Sequence, residues 1–265
     1  MRTYELPKLN YDAVERQIRD FIRFEAKDRG VVLGLSGGVD SAAVAAISVK
    51  ALGREKVLAL IMPEANSSLE SDTQDALSFA HMLGISFEKL DITESVNSML
   101  KTVGRRGGNL VEGNLKARMR MAILYYWANL ENRLVVGAGD KSELSVGYFT
   151  KYGDGGVDIL PLGDLYKTQV RELASHLGVP ENITTKKSSP RLWPDHLAEE
   201  ELGVSYAELD RILHLYVDHS YDKERIISEL GSDSAHKVDK VLGMVKANAH
   251  KLKPPPIAKI YGKVE

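Results

Sequence analysis

The run Val-Val-Leu-Gly-Leu-Ser-Gly-Gly-Val-Asp-Ser over residues 31–41 constrains this chain more than any other stretch. Val31, Val32, Leu33 and Leu35 form a short apolar run with β-branched residues, the pattern of a strand covered on both faces of a parallel sheet. Ser36, Gly37 and Gly38 then turn the chain, and Val39, Ala43, Ala46, Ile47 and Leu52 recur near helical spacing. A helix that opens directly on such a turn leaves its first N–H groups without intrahelical acceptors. Two glycines let that backbone approach a ligand, Ser36 and Ser41 add hydroxyls, and the helix dipole favours negative charge, so the turn predicts a phosphate site. Asp40 implies Mg²⁺ as well, because a carboxylate beside a polyphosphate repels it unless a divalent cation intervenes. No lysine closes the turn, which separates it from the Gly-x-x-x-x-Gly-Lys-Ser/Thr loop of the common NTPases. The competing reading is an ordinary glycine-containing strand-to-helix turn.

A chain of 265 residues holds one large core, or a core with a small appendage. Its 35 Lys and Arg against 37 Asp and Glu give a formal charge of −2, so no global field favours nucleic acid, which weighs against a tRNA-modifying enzyme. Cysteine is absent, excluding disulfides, thiolate metal sites and a cysteine nucleophile. Amidotransferases that draw ammonia from glutamine usually do so through a cysteine thioester, so amide chemistry here would need ammonia delivered. Residues 57–62, the longest purely apolar run, are too few to span a bilayer, and residues 1–10 have no apolar signal core. A cytoplasmic protein with no membrane partner is expected.

Along the chain, amphipathic spacing predicts helices over residues 11–25, 39–52, 69–83, 94–103 and 115–130. Between them, apolar or alternating runs predict strands over 31–35, 56–62, 86–92 and 133–136. Ser67 and Glu70 have the spacing of a capping box. This alternation predicts an α/β protein, a three-layer, doubly wound and mostly parallel sheet whose ligand lies beyond the carboxyl ends of its strands. The Gly-rich segment 104–108 carries Arg105 and Arg106, a basic loop that either steers an anionic nucleotide or is simply solvated. Gly137-Ala138-Gly139 is only a fragment of a dinucleotide fingerprint, since Ser142 stands where the third glycine belongs. Residues 147–163, with Gly153, Asp154, Gly155 and Gly156, suggest a long mobile loop and a candidate lid, followed by Asp164 as cap of a helix through Leu177. Tyr206, Leu209, Ile212, Leu213, Tyr216 and Val217, then Val238, Val241, Leu242 and Val245, recur at helical spacing before the extended run Pro254-Pro255-Pro256. One domain over 1–265 is expected, with a core at about 25–180 and a helical part at about 195–253.

The turn at Ser36 resembles the Ser-Gly-Gly-x-Asp-Ser loop of the ATP pyrophosphatases, which hold the β and γ phosphates as leaving pyrophosphate. Five further stretches resemble NAD⁺ synthetases of the short, ammonia-dependent type. They are Gly-Asn-Leu-Lys-Ala-Arg-Met-Arg-Met over 113–121; Gly-Ala-Gly-Asp-Lys-Ser-Glu over 137–143; Gly-Tyr-Phe-Thr-Lys-Tyr-Gly-Asp over 147–154, continuing through Asp158 and Pro161 to Lys-Thr-Gln-Val over 167–170; Leu192-Trp193-Pro194 with residues 199–203 and Tyr206; and His250-Lys251. Together they run from the first strand to the tail. The resemblance implies an adenine nucleotide alpha hydrolase-like fold with C-terminal helices, and a homodimer. It also implies that ATP and deamido-NAD⁺ form an acyl-adenylate, which ammonia converts to NAD⁺, AMP and pyrophosphate.

Carried over by motif, Gly34, Leu35, Ser36, Gly37, Gly38, Val39, Asp40, Ser41, Ala138, Lys167 and Ser189 contact ATP, and Asp40 with Glu143 holds Mg²⁺. Arg118, Lys151, Asp158, His250 and Lys251 match positions that grip deamido-NAD⁺. Asp40, Lys167 and Asp158 are the catalytic candidates, Asp158 either orienting a ribose hydroxyl or taking a proton from ammonium. Without the resemblance, Glu143 would merely favour a helix dipole, Lys167 and Arg118 would be solvated charges, and His250-Lys251 a basic helix end. The sequence departs from the family at Ala138, where a threonine is usual, and at Asp140, where asparagine or histidine is common. Ser-Ser-Pro-Arg-Leu over 188–192 replaces Pro-Ser-Ala-x-Leu, and residues 195–198 replace Gly-Gln-Thr-Asp. An ATP pyrophosphatase with another acceptor, or a nucleotide sensor without catalysis, are the alternatives.

Overall fold

Val31 and Leu33 point to one side of the first strand and Val32 to the other, and all three are buried, as the unbroken apolar run demands. The computed structural model describes residues 4–104 and 107–260. In chain order they form α1 (Tyr11–Ala26), β1 (Gly30–Gly34), α2 (Val39–Leu52), β2 (Val57–Ile61), α3 (Glu70–Leu83), β3 (Ser86–Lys89), α4 (Thr93–Val103), α5 (Asn109–Glu131) and β4 (Arg133–Val136). There follow α6 (Lys141–Val146), α7 (Lys167–His176), α8 (Glu181–Thr184), α9 (Ala198–Leu202), α10 (Tyr206–Leu213), α11 (Lys223–Leu230) and α12 (Ala235–Asn248). The sheet order is β3-β2-β1-β4 with every pairing parallel, Val31 lying opposite both Val57 and Leu134. Strand order reverses at β1, so the crevice beyond β1 and β4 is the place such sheets offer a ligand.

On one face Val31, Leu33, Val57 and Ala59 pack with α1, α2, α3 and α7. Helix α2 runs between α1 and α7, which explains why its residues from Ser41 to Ser48 are all buried rather than striped. On the other face Val32, Leu58, Leu60 and Val135 meet Val96 of α4 and Ala128 of α5, completing three layers. The apolar faces of α9 to α12, including Leu202, Leu209, Ile212, Ile226, Val238 and Val241, close around Val146 of α6 and Tyr166. The C-terminal helices therefore brace the segment that carries Lys167.

Several local expectations change. Leu69, not Ser67, precedes α3, because the Ser67 hydroxyl donates to buried Glu64 at 2.6 Å instead of capping. Helix α5 starts before residue 115, since Gly113 lets it pass Leu192, whose Cβ a side chain there would meet at 2.9 Å. Asp164 is exposed and pairs with Lys141 at 3.0 Å. The first turn of α7 is capped partly from within, Gln169 accepting from Tyr166 N, and partly from distant segments, Ser142 Oγ accepting from Lys167 N at 2.9 Å and Asp210 from Thr168 N at 2.9 Å. The 147–163 loop is tied down rather than free as a lid would be. Thr150 N donates to Asp154 at 2.8 Å, Thr150 Oγ1 to Asn114 at 2.6 Å, and Ile159 forms a parallel bridge with Val136. Arg105 and Arg106 of the basic loop lie outside the described residues. Among the described residues no helix is long and apolar enough to cross a membrane.

Candidate active site

The β1–α2 turn is shaped by steric necessity. Gly37 has φ +80°, and a Cβ there would lie 2.2 Å from the Asp72 carbonyl oxygen. Ser41 Oγ donates to Gly38 O at 3.0 Å and accepts from Ser36 N at 3.2 Å, while Ser36 Oγ accepts from Gly38 N at 3.3 Å. These bonds hold the turn over the start of α2, where the N–H groups of Val39, Asp40 and Ser41 have no acceptor among the described residues. The turn opens on a cavity of about 740 Å³ that Gly137 to Gly139 border from the next strand and residues 186–193 from the far side. That volume suits a nucleotide-sized ligand. A second cavity of about 320 Å³ lies behind Leu192 and Trp193, which border both, and is lined by Glu64, Asn66, Asn97 and Lys116 among others.

Behind Asp40 and Glu143, which border the cavity, lies a charge cluster whose Lys167 and Asp140 do not line it. Lys167, fully buried at the start of α7, has Nζ at 2.8 Å from Asp40, 2.7 Å from Asp140 and 2.7 Å from Glu143. The Tyr206 hydroxyl donates to Glu143 at 3.3 Å, and Asp140 caps α6 by accepting from Glu143 N at 2.8 Å. One ammonium among three carboxylates leaves excess negative charge. Burial, and then neighbouring carboxylates, push Asp140 and Glu143 above the usual carboxylate range. Burial pulls Lys167 down, but Asp140, Asp40 and Glu143 outweigh it and hold the ammonium well above its ordinary value. Asp40 Oδ1 is buried without a hydrogen-bond partner. No group of three or more metal-ligating side chains is arranged as a cage among the described residues. Two carboxylates with an open oxygen, completed by phosphate oxygens and water, nevertheless match what a hard divalent cation takes.

Gly34, Leu35, Ser36, Gly38, Val39, Asp40, Ser41, Ala138, Glu143, Ser189 and Lys251 all border the larger cavity. Ser189 donates to His196 O and accepts from Arg191 N at 3.2 Å, and Lys251 donates to Gly147 O and Phe149 O at 2.6 and 3.0 Å. Arg118, Lys151, Asp158 and His250 stand apart from the cavity lining. Arg118 donates to Lys151 O, Lys151 Nζ to His250 O at 2.9 Å, and Asp158 accepts from Val135 N at 2.8 Å and Tyr125 at 3.0 Å. Two cations beside the turn escape sequence reasoning. Lys186 donates to Gly37 O at 3.1 Å and to Asp72 at 2.8 Å, and Arg191 to Asp72 at 2.8 Å. In the sequence Asp72 is only one more acidic residue in a helix's first turn.

The protein-family model described as NAD synthase matches residues 11–255. A curated relative named NH(3)-dependent NAD(+) synthetase, from Hyperthermus butylicus, is 48% identical over 255 residues, covering 95% of this chain and 92% of the relative. One of the same name from Archaeoglobus fulgidus is 49% identical, covering 95% and 98%. Among solved structures, NMN synthetase from Francisella tularensis matches with a TM-score of 0.84 and 33% identity, covering 96% of this chain and all 100% of that one. The NH3-dependent NAD synthetase from Campylobacter jejuni, in complex with nitrate, matches with a TM-score of 0.80 and 31% identity, covering 95% and 100%.

Proposed function

The chain belongs to the NAD synthase family, and from that premise we propose that its cavity amidates deamido-NAD⁺ with ammonia through an acyl-adenylate. It is a ligase that uses ATP and yields NAD⁺, AMP and pyrophosphate. The observation that carries the reading is the set of unpaired N–H groups of Val39, Asp40 and Ser41, facing one cavity together with the carboxylates around Lys167. A carboxylate resists attack by ammonia, so it must first become a mixed anhydride with a good leaving group. The substrate carboxylate attacks the α phosphorus, and the departing β and γ phosphates rest on the N–H groups of the turn, which are oriented before the charge develops. Lys167, held protonated, adds positive charge at the same end. Asp40 and Glu143 would hold Mg²⁺, which when bound neutralises part of the polyphosphate charge. Ammonia then displaces AMP.

Ser189 and the Ala138 backbone complete the ATP contacts; lacking a threonine hydroxyl at 138 weakens ATP binding by about 1 kcal/mol. We assign Arg118, Lys151, Asp158, His250 and Lys251 to deamido-NAD⁺, a ligand long enough to reach beyond the cavity. Tyr126 and Leu130, 67% and 63% exposed on α5 beside the Tyr125–Asp158 pair, form the contact face of a homodimer in this reading.

The test incubates the purified protein with ATP, Mg²⁺, deamido-NAD⁺ and ammonium chloride and follows products by phosphorus NMR. NAD⁺, AMP and pyrophosphate are expected; ADP with orthophosphate, or no NAD⁺, refutes the reading. The likeness to an enzyme named NMN synthetase supports one alternative acceptor, the mononucleotide acid. A higher kcat/KM for that compound would move the acceptor assignment to it.

A further inference from the structure

His196 lies between α8 and α9, in the segment that departs from the family pattern, and only 3% of it is exposed. Its ring stacks on Trp193 with centroids 3.4 Å apart and planes at 11°. Nε2 is 2.6 Å from Glu201 Oε2, and the Tyr148 hydroxyl donates to that same oxygen at 2.6 Å while lying 3.1 Å from Nε2. A hydroxyl hydrogen engaged by the carboxylate cannot also serve Nε2, so Nε2 carries the ring hydrogen and donates it to Glu201. That tautomer leaves Nδ1 with a lone pair, and Nδ1 is buried without any hydrogen-bond partner. A buried acceptor without a partner is unfavourable, and a donor that reaches it removes the penalty. His196, Trp193, Tyr148 and Glu201 all border the cavity that the Ser36 turn opens on.

Resting on the amidation reading above, we propose that Nδ1 of His196 takes the proton released by the attacking nitrogen in the second half-reaction. The ammonia lone pair forms the C–N bond, the bond from acyl carbon to AMP oxygen breaks with its electrons leaving on AMP, and the now cationic nitrogen passes one proton to Nδ1. Water later removes it. Glu201 and Tyr148 are positioning residues: they fix the tautomer, and Glu201 stabilises the imidazolium. Burial lowers the imidazole pKa, Glu201 raises it and Arg191 lowers it, with a net result below the ordinary value. The ring is therefore neutral and receptive at pH 7. Among the described residues Lys251 and Asp154 also border the cavity, and Lys251 feels the charges of both Asp154 and Glu201.

The experiment separates the two half-reactions in full-length His196→Gln. ATP–pyrophosphate exchange with deamido-NAD⁺ reads adenylate formation, and NAD⁺ production with ammonium chloride reads amidation. The expected result is exchange that persists, kcat for NAD⁺ lowered about 100-fold, and loss of the acidic limb of its pH profile. NAD⁺ production that is unchanged, or that falls only in step with an exchange that is reduced but still measurable, overturns the proposal. If His196→Gln shows no exchange at all, Glu201→Gln, which keeps the ring and its stack, decides: exchange with slowed amidation supports the proposal, and any other result overturns it. A parent protein without deamido-NAD⁺-dependent exchange would instead remove the amidation reading, and this proposal with it.

Discussion

Replacing Lys116 by methionine isolates one buried charge. Lys116 Nζ donates to Glu64 Oε2 at 2.6 Å and to Leu192 O at 3.2 Å, and Glu64 is wholly shielded from solvent. Burial pushes the Glu64 carboxyl up, but hydrogen bonds from Lys116, Ser67 and Asn66 outweigh it and bring it from 4.5 to about 2. At about 1.4 kcal/mol for each tenfold in proton affinity, this depression contributes about 3 kcal/mol to folding. Because the folded value is the lower one, that stability is fully present above pH 4.5 and is lost as the pH falls toward about 2. Lys116→Met leaves an uncompensated buried carboxylate and should lower stability at pH 7 by about 3–5 kcal/mol. The variant's Glu64 pKa rises, so its deficit should shrink on acidification as the stranded group takes up a proton. Urea denaturation of parent and variant at pH 7 and pH 4.5 measures both quantities. A deficit below about 1 kcal/mol at pH 7, or one that does not shrink with acid, refutes the reasoning. Adding Glu64→Gln to the variant should restore part of the loss, since no charge is then stranded.

Gly37→Ala puts a methyl against the Asp72 carbonyl at a positive φ, and should cost about 1–2 kcal/mol in stability and raise the KM for ATP at least about tenfold; denaturation and steady-state kinetics report both. Glu143→Gln should raise the Mg²⁺ concentration for half-maximal turnover about tenfold or more, and an unaltered Mg²⁺ titration would count against the Asp40–Glu143 pair as its ligands. Tyr126→Glu places a charge on the exposed face of α5 and should shift a dimer toward monomer in sedimentation velocity, while a parent that is already monomeric excludes this contact.

The sequence made β1, the turn and α2 legible because every signal there is local: an apolar run, two glycines and a helical repeat within about 20 residues. What it concealed depends on contacts between distant segments. The start of α5 needed knowledge that Gly113 passes Leu192, and the caps of α7 come from Ser142 and Asp210 rather than from neighbouring Asp164. Motif alone singles out Asp40, Glu143 and Lys167, whereas Asp140, the third carboxylate on Lys167, shows in the sequence only as a departure from pattern. Lys186 and Arg191 meet Asp72 across more than a hundred residues, and nothing in local spacing reports such a meeting. Motifs also say nothing about where a side chain ends up, as Arg118, Lys151, Asp158 and His250 show by lying outside the cavity.

Leu192 and Trp193 form a bulkhead between two chambers. In the amidation reading the anhydride forms on one side; the other is a separate compartment bordered by polar side chains that include Asn66, Asn97 and Lys116. The side chains at 192 and 193 are thus the wall between the two. A smaller residue at 193 thins that wall and, in that reading, should raise the AMP released per NAD⁺ formed, a ratio that Trp193→Ala would report.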